Sequence, residues 1–377
     1  MNLLLEFYNK IGGVLDPKEK DDIELHLFRR ARLYDMLGIP NRFFRGAKVL
    51  DIGSGSGYNA LAFLLFGAKV DIVEPNQQAQ NKAIELFARF NIEQNQITIY
   101  SDIRDVKNEN KYDLICAEAV LHVLEVPLRN FIMDKIKVLS RKDSLVVIGS
   151  MCNFSYFYED IRRYLGKILI ANEDDFNQQV IILSDAFGAH LKELRYAVRP
   201  IEDWVTDNIL NPANNLERLD ILDIIKRFDG YEMRHISPQL VPNLSWYKDI
   251  DYCHTNAIKE EFYSTRHLLL DNRFKYSIRS KSKNQKLAKQ LLEFQDLMKQ
   301  DCRVKEISGG GGHYRVLKEI LNDHKDLGND FVNALSEVIN ILQKNIINPR
   351  SVSTMKDFRK AWGRGLYYAC LRKMRDE

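Results

Sequence analysis

Over about the first 150 residues, the pattern of apolar and polar positions predicts short strands that alternate with amphipathic helices. The apolar runs end at acids, glycines or prolines, and apolar residues recur at helical spacing in the segments between them. Strands that alternate with helices of this length predict a parallel, doubly wound sheet. The predicted strands are 49–51, 69–73, 97–100, 112–117 and 144–150.

Long helical stretches replace this pattern beyond residue 152. Residues 153–228 show helical periodicity, and Pro200 with the two acids after it indicates a helix start. This stretch is longer than a strand connection needs, so we interpret it as a helical insertion that caps the active site. Strands at 231–237 and 244–250 are expected to complete the sheet. Later helices are predicted at 284–300, 314–322, 330–345 and 355–374.

These elements predict a division of the chain into three parts. Residues 1–152 with about 229–252 form an α/β core, residues 153–228 the helical insertion, and residues 253–377 a helical C-terminal domain. The length of 377 residues exceeds the usual size of a single domain and therefore favours a core with large additions.

The first predicted strand ends at Asp51 and leads directly into the alternating glycines Gly53, Gly55 and Gly57. Glycine adopts positive φ and lacks a Cβ, so its backbone amides can approach a ligand closely. A helix predicted over 59–66 would direct its free N-terminal amides at the same ligand. In open α/β sheets such ligands bind outside the carboxyl ends of the strands. The loop therefore predicts a site for a nucleotide-like ligand.

The spacing of the glycines separates two ligand classes. A dinucleotide-binding GxGxxG motif would need its last glycine at position 58, where this chain has Tyr58. The observed Asp-x-Gly-x-Gly-x-Gly pattern, with Glu74 and Asp102 at the next two strand ends, resembles the class I methyltransferases that use S-adenosylmethionine (SAM). The Tyr-Asp-Leu-Ile run at 112–115 also resembles that family. The resemblance implies an α/β fold with a Rossmann-like seven-stranded core, and SAM as the cofactor.

The same resemblance implies roles for single residues. Asp51 would lie near the methionine amino group of SAM, Glu74 would accept hydrogen bonds from the ribose hydroxyls, and Asp102 would face the adenine amine. The expected cofactor-binding residues are Asp51, Gly53, Ser54, Gly55, Gly57, Tyr58, Glu74, Pro75, Asp102, Ile103 and Glu118.

His122 is the candidate catalytic base, because an imidazole accepts protons near neutrality. The alternative is a packing or hydrogen-bonding residue beside the cofactor. Segment 116–123 resembles O-methyltransferases that act on ubiquinone precursors and small-RNA 2′-O-methyltransferases, whose Glu-x-x-Glu-His pattern can hold a metal. Leu121 replaces the second Glu here, so we predict no metal site. The motifs typical of DNA base methylation are missing after the fourth strand.

Several short sequences carry a closer resemblance between residues 20 and 250. They are LGIP at 37–40, FRG at 44–46, GSGYNA at 55–60, RPIEDWV at 199–205, NP at 211–212 and WYK at 246–248. They resemble a bacterial group often encoded among surface-polysaccharide or lipopolysaccharide genes, which implies O-methylation of a sugar-containing acceptor at the cytoplasmic face. Trp204, Trp246, Tyr247 and Trp362 provide aromatic faces that suit stacking on such acceptors, with core packing as the alternative.

Composition sets the expected environment. With 45% hydrophobic and 28% charged residues, and without a long apolar run or a signal peptide, the sequence predicts a cytoplasmic protein with no transmembrane segment. The five cysteines are odd in number and lack CxxC spacing, which agrees with a reducing compartment. Richness in Asn, Ile and Lys is typical of an AT-rich bacterial genome.

Positive charge is concentrated toward the end of the chain. From Lys281 onward the chain has 19 Lys and Arg and 12 Asp and Glu, so this stretch has a net charge of about +7. The rest of the chain is about −4, which gives the whole chain its net charge of +3. Such a tail can attract nucleic acid, anionic lipid or acidic sugars, or it can be a solvated helical surface. The four glycines at 309–312 are either a flexible hinge or a backbone cradle for an anion, with His313 and Arg315 as partners.

Three functions remain open from the sequence. The first is a SAM-dependent O-methyltransferase that acts on a sugar-containing or other small hydroxylated acceptor. The second is an RNA methyltransferase that grips its substrate with the basic helical tail. The third is a non-catalytic SAM-binding scaffold. The sequence identifies neither the acceptor nor the oligomeric state.

Overall fold

The computed structural model describes residues 3–12, 22–109, 111–194, 197, 199–241, 248, 254–299 and 311–375. The chain divides into two compact units. The first unit consists of Met1–Cys152, Leu216–Phe262 and Leu366–Glu377, and the second of Asn153–Asn215 and Tyr263–Gly365.

A seven-stranded sheet forms the centre of the first unit. Its strands are β1 (Lys48–Ile52), β2 (Lys69–Val73), β3 (Ile97–Tyr100), β4 (Tyr112–Glu118), β5 (Ser140–Ser150), β6 (Tyr231–Ser237) and β7 (Tyr367–Lys373). They lie in the order β3-β2-β1-β4-β5-β7-β6. Strands β1 to β5 pair in parallel, and β7 pairs antiparallel with β5 and β6. The expected Rossmann-like seven-stranded core is confirmed.

The seventh strand comes from a different part of the chain than predicted. The stretch 355–374 was expected to be helical, but it contains only a short 3-10 turn, Phe358–Lys360, before β7. Side chains of β7 such as Ala369 and Leu371 are buried because the strand inserts between β5 and β6. The strand predicted at 244–250 lies outside the described residues, apart from position 248.

Fourteen α-helices are found among the described residues. They are α1 (Leu3–Lys10), α2 (Ile23–Met36), α3 (Tyr58–Leu65), α4 (Gln77–Arg89), α5 (Val126–Leu139), α6 (Phe157–Leu169), α7 (Phe176–Glu193), α8 (Ile201–Val205), α9 (Ile221–Arg227), α10 (His254–Thr265), α11 (Lys281–Lys299), α12 (Gly312–Asp323), α13 (Asn329–Gln343) and α14 (Pro349–Ser353). None of the helices in the described part of the chain is both long and apolar enough to cross a bilayer.

Apolar helix faces pack on the sheet of the first unit. Five consecutive residues of α3, Ala60 to Leu64, are buried, and α3 follows β1 directly. The ring of Phe63 stacks on that of Phe44 with centroids 5.5 Å apart, and Tyr34 of α2 meets both rings edge-on. This packing fixes α2 and α3 close to the point where β1 ends.

The second unit is helical throughout its described residues. Pro200 precedes α8, as the sequence predicted, and a π-helical turn, Thr206–Leu210, continues it. The guanidinium of Arg162 on α6 is fully buried, lies 3.7 Å from the ring centroid of Trp362, and donates to the carbonyl of Ala361.

Three elements lie in a different unit from the one predicted. Helix α9, expected in the insertion, belongs to the first unit, as do β7 and most of α10, which were expected in a C-terminal domain. Helices α6 to α8 and the helices from α11 onward cluster together in the second unit. A chain that leaves the sheet twice and returns twice produces this arrangement.

Candidate active site

The carboxyl ends of β1, β2 and β4 lie side by side in the first unit. Strand β1 occupies the middle position and pairs in parallel with β2 on one side and β4 on the other. Residues that follow these three strands therefore meet at one edge of the sheet, where open α/β sheets bind their ligands. Asp51, Glu74 and Glu118 all lie at this edge and are buried.

The glycine loop has the left-handed backbone that its sequence predicted. The φ angles of Gly53, Gly55 and Gly57 are +74°, +55° and +83°. Helix α3 begins directly after Gly57, which caps it without a side-chain hydrogen bond. Helix starts of this kind can bind anions and nucleotides through their first backbone amides.

Packing within the protein also requires two of these glycines. A Cβ on Gly53 would lie 2.8 Å from Cγ2 of Val120, and a Cβ on Gly57 would lie 2.9 Å from Cβ of Ala83. Real Cβ atoms do not approach this closely. The glycine pattern therefore reflects contacts inside the fold as well as room for a ligand, which spacing alone did not reveal.

Glu74 connects the end of β2 to the glycine loop. Its carboxylate accepts the backbone amides of Gly55 at 2.8 Å and Asn76 at 2.9 Å. Burial raises the pKa of this carboxyl, and the two amide donors offset part of the shift. Pro75 is exposed beside it, and the buried Oγ of Ser54 has no hydrogen-bond partner among the described residues.

Glu118 is held at the end of β4 by two side chains of α2. Its Oε1 accepts the hydroxyl of Tyr34 at 2.5 Å and pairs with the guanidinium of Arg30. Arg30 also donates to the Tyr34 hydroxyl at 3.1 Å, and that hydroxyl contacts the thiol of Cys116 at 3.2 Å. The opposite oxygen of the carboxylate, Oε2, has no partner in the part of the chain that the structure describes.

Asp51 lies close enough to Glu118 for their charges to interact. Burial raises the pKa of Asp51 to about 8, the carboxylates of Glu118 and Glu74 add to the shift, and Arg30 opposes it. The Oδ2 atom of Asp51, like Glu118 Oε2, has no described hydrogen-bond partner. Two buried acids with one unpartnered oxygen each make this region suited to a cationic group such as an ammonium.

Asp102 and Ile103 lie beyond β3, on the other side of Glu74. The Asp102 carboxylate accepts the backbone amide of Arg104 at 2.8 Å and pairs with its guanidinium at 2.6 Å. The Asp102 side chain is half-buried and already engaged by Arg104, and Ile103 is buried. Tyr58, at the start of α3, meets the ring of His26 edge-on, with the centroids 5.9 Å apart.

His122 lies in a short 3-10 turn, Leu121–Val123, just past β4. Its side chain is buried, and Nδ1 has no partner within the described chain. Burial lowers the pKa of His122 to about 3, and the guanidinium groups of Arg218 and Arg129 add to the shift. The imidazole is therefore neutral at physiological pH and has a free nitrogen lone pair or N–H, depending on its tautomer.

Three of the residues that shape the site carry no sequence signal. Arg30 and Tyr34 lie more than 80 residues before Glu118, and an arginine and a tyrosine four residues apart form no motif. Arg218 is equally silent in the sequence, because it lies between predicted elements. Only the fold brings these three side chains to the ends of β4 and its neighbours.

Other candidates are placed away from any ligand role. Trp204 and Trp362 are buried with ring centroids 5.7 Å apart in the second unit, so their faces serve the core, while Trp246 and Tyr247 lie outside the described residues. In the tail, Lys283 and Lys286 pair with Asp326 and Asp323. No three His, Cys, Asp or Glu side chains of the described chain are grouped as a metal site would require.

The glycine run at 309–312 is described only at its last two positions. Gly311 precedes α12 and Gly312 begins it. Of the suggested anion partners, His313 is buried and stacks on Tyr164 with centroids 4.2 Å apart, and Arg315 pairs with Glu293 and Glu319. Both side chains thus have protein partners.

Comparison with known families identifies a methyltransferase domain over residues 27–177, which is 151 of 377 residues. These residues contain the glycine loop, the strand-end acids and His122. The chain is therefore similar to a methyltransferase domain over β1 to β5 of the first unit and the beginning of the second unit. No curated protein matches the chain.

Several solved structures share low similarity with parts of the chain. The N-methyltransferase NodS of Bradyrhizobium japonicum, with bound S-adenosylhomocysteine (SAH), is 17% identical over 41% of this chain and 75% of its own, with a TM-score of 0.33. Magnesium protoporphyrin IX methyltransferase of Synechocystis, also with SAH, is 18% identical over 38% of this chain and 65% of its own, with a TM-score of 0.30. PKMT2 of Rickettsia typhi is 14% identical over 62% of this chain and 47% of its own, with a TM-score of 0.41. The chain therefore spans only part of each.

Proposed function

We propose that this protein transfers the methyl group of SAM to a hydroxyl of a sugar-containing or other small hydroxylated acceptor. The observation that carries the proposal is the convergence, at one sheet edge, of buried acids that suit the cofactor and a neutral buried histidine that suits an uncharged nucleophile. The resemblance to glycan-associated methyltransferases supports the sugar class.

The cofactor would lie across the ends of β1, β2 and β4. The unpartnered oxygens of Asp51 and Glu118 would receive the methionine ammonium, whose charge offsets the cost of two buried carboxylates. Glu74, fixed by two backbone amides, would accept the ribose hydroxyls. The adenine would lie toward Asp102 and Ile103. The remaining loop residues, Gly53, Ser54, Gly55, Gly57, Tyr58 and Pro75, would surround the methionine and ribose.

Methyl transfer itself requires alignment more than acid–base chemistry. The acceptor oxygen attacks the methyl carbon in line, the carbon–sulfur bond breaks with its electron pair left on sulfur, and SAH is the product. The proton of the acceptor hydroxyl must then leave. After the carbon–oxygen bond has formed, that proton is on a positively charged oxygen and is strongly acidic.

His122 would begin to accept this proton while the carbon–oxygen bond is still forming, so it also lowers the barrier of the methyl-transfer step. A pKa of about 3 keeps the imidazole neutral and ready as an acceptor at physiological pH. Such a weak base does not ionise a hydroxyl in the ground state, but it can take a proton from the alkylated oxygen and pass it to water. This role fits an alcohol acceptor.

The test follows SAH production from SAM with nucleotide sugars, glycan lipids and RNA as separate acceptors. We expect turnover with one hydroxylated sugar acceptor and, for His122→Ala, a loss of about 10²–10⁴-fold in kcat with SAH affinity unchanged. His190→Ala is the matched control, because His190 is also buried with a pKa near 3 but lies in the second unit.

Three results would contradict parts of the proposal. Full turnover by His122→Ala would remove it as the base. RNA binding that weakens steeply with salt, together with methyl transfer to RNA, would replace the sugar by RNA as the acceptor. SAH binding without turnover on any acceptor class would favour a non-catalytic scaffold.

A further inference from the structure

We propose that His122, Arg129 and Arg218 form a subsite, called here the cationic subsite, that binds a phosphate or carboxylate group of the methyl acceptor. The inference deepens the proposed function and depends on it, since it states which hydroxylated acceptors the enzyme would take. An anionic acceptor, such as a sugar phosphate, nucleotide sugar or uronic acid, would be held beside the transferred methyl group.

The backbone around Arg218 is fixed at the carboxyl edge of the sheet. The carbonyl of Leu219 accepts the hydroxyl of Ser150 at 3.1 Å and also that of Tyr367. Ser150 is the last residue of β5, and Tyr367 is the first residue of the antiparallel β7. Both therefore lie at the same edge as Glu118, and Arg218, which is buried, is held there with them.

Arg129 on α5 is tied to the same segment. Its guanidinium donates to the carbonyl of Glu217 at 2.6 Å and to the Glu217 carboxylate at 3.0 Å, and the arginine side chain is only 4% exposed. The Nε atom of Arg129 has no hydrogen-bond partner among the described residues. The glutamate side chain is 56% exposed, so water screens its charge more than that of the arginine.

His122 completes the group from the end of β4. Both guanidinium groups are close enough to its imidazole to lower its pKa. Its Nδ1 is the second buried nitrogen of the subsite without a described partner. Each of the three side chains is more than nine-tenths buried, and the contact of Arg129 with Glu217 places Arg129 next to the segment that carries Arg218. Arginine binds carboxylate and phosphate through paired N–H donors, and a buried arginine favours a nearby anion.

The strand order assigns this anion to the acceptor. Asp51 and Glu74, which are expected to contact SAM, lie at the ends of β1 and β2, and Glu118 lies at the end of β4, whereas the segment of Arg218 is held beside Ser150 of β5 and Tyr367 of β7, on the far side of β4 from β1. Adjacent strands are ~4.8 Å apart, so β5 is ~10 Å from β1. The cofactor's ribose and adenine would therefore extend away from the cationic subsite, which leaves its side of the edge for the acceptor.

Inorganic phosphate and acetate are suitable probes, titrated by calorimetry at constant ionic strength into protein with and without saturating SAH. We expect phosphate or acetate to bind the SAH-loaded protein, and Arg218→Gln to weaken that binding at least tenfold. Arg218→Lys should retain part of it. SAH affinity should change less than twofold in all variants. Arg227→Gln is the matched control, because Arg227 lies in the same unit and pairs with Asp134 outside the subsite.

The outcomes separate this inference from the proposed function. Equal anion binding by wild type and Arg218→Gln, or none above a chloride control, overturns the subsite while normal SAH binding leaves the proposed function intact. Loss of anion binding when SAH is added, with weaker SAH binding in Arg218→Gln, would show that the cluster binds the SAM carboxylate. Failure of SAH to bind wild type would instead refute the proposed function. A kcat/KM that is the same for anionic and for neutral acceptors would also overturn the subsite.

Discussion

Gly53 lies where the cofactor loop and the segment after β4 meet, and its replacement by alanine tests why glycine is needed there. Its φ of +74° is in the left-handed region. An added Cβ would lie 2.8 Å from Cγ2 and 2.9 Å from Cβ of Val120. Gly53→Ala thus combines backbone strain with a steric clash inside the first unit.

The expected cost is the sum of two separate effects. Left-handed backbone strain costs a non-glycine residue ~1–2 kcal/mol, and an extra carbon in a packed region costs ~1–3 kcal/mol. Gly46→Ala is the matched control, because Gly46 has a φ of +75° but no atom within 4 Å of an added Cβ. It should lose only the strain component, ~1–2 kcal/mol.

Urea-induced unfolding followed by far-UV circular dichroism measures both variants, and calorimetry with SAH measures cofactor binding. A double-mutant cycle with Val120→Gly isolates the clash, and we expect it to recover ~1–3 kcal/mol. If Gly53→Ala is no more destabilised than Gly46→Ala, or the cycle shows no coupling, the contact with Val120 is not the reason for glycine.

Three further predictions concern buried polar groups. Burial raises the pKa of Asp51 from 3.8 to about 8, so folding favours its protonated form, and its stabilising contribution is lost progressively between about pH 4 and pH 8. Urea unfolding should show Asp51→Asn gaining stability relative to wild type over this range, and a pH-independent difference would contradict this. Tyr34→Phe removes a hydrogen-bond donor to the Glu118 carboxylate and should lower the free energy of unfolding by ~1.5–3 kcal/mol. Calorimetry should also show weaker SAH binding, and an unchanged stability together with an unchanged SAH affinity would exclude a positioning role for Tyr34. Arg162→Met leaves buried carbonyls unpaired and should cost at least ~2 kcal/mol, with altered Trp362 fluorescence; equal stability to wild type would show that the stacked guanidinium is dispensable.

The local part of the candidate site was predictable from the sequence. Asp51, the three glycines and the start of α3 are consecutive in the chain, so strand, turn and helix signals specify their geometry together. Glu74 and Glu118 were predicted to lie near this loop because parallel strands align their carboxyl ends. The Val120 contact with Gly53 was not predictable, because it depends on the turn after β4.

The last strand shows the limit of pattern reading. Residues 367–373 contain apolar and aromatic side chains that suit a buried helix or a buried strand, and short runs of this kind do not distinguish the two. The antiparallel slot between β5 and β6 decides the outcome, because only a strand can complete both hydrogen-bonded ladders. That slot is created by residues more than 130 positions earlier in the chain.

The sequence by itself determined the order of the first five strands, the glycine loop and the acids at the strand ends, since each depends on neighbours in the chain. Tertiary structure alone decided the side chains around them. Arg30 and Tyr34 reach Glu118, and Arg129 and Arg218 reach His122, across 7 to 96 residues of chain, and such pairs leave no periodic or local signal. Burial of Asp51 and His122 themselves is the main cause of their shifted pKa values, and the charges of Arg30 on Asp51 and of Arg129 and Arg218 on His122 contribute to them.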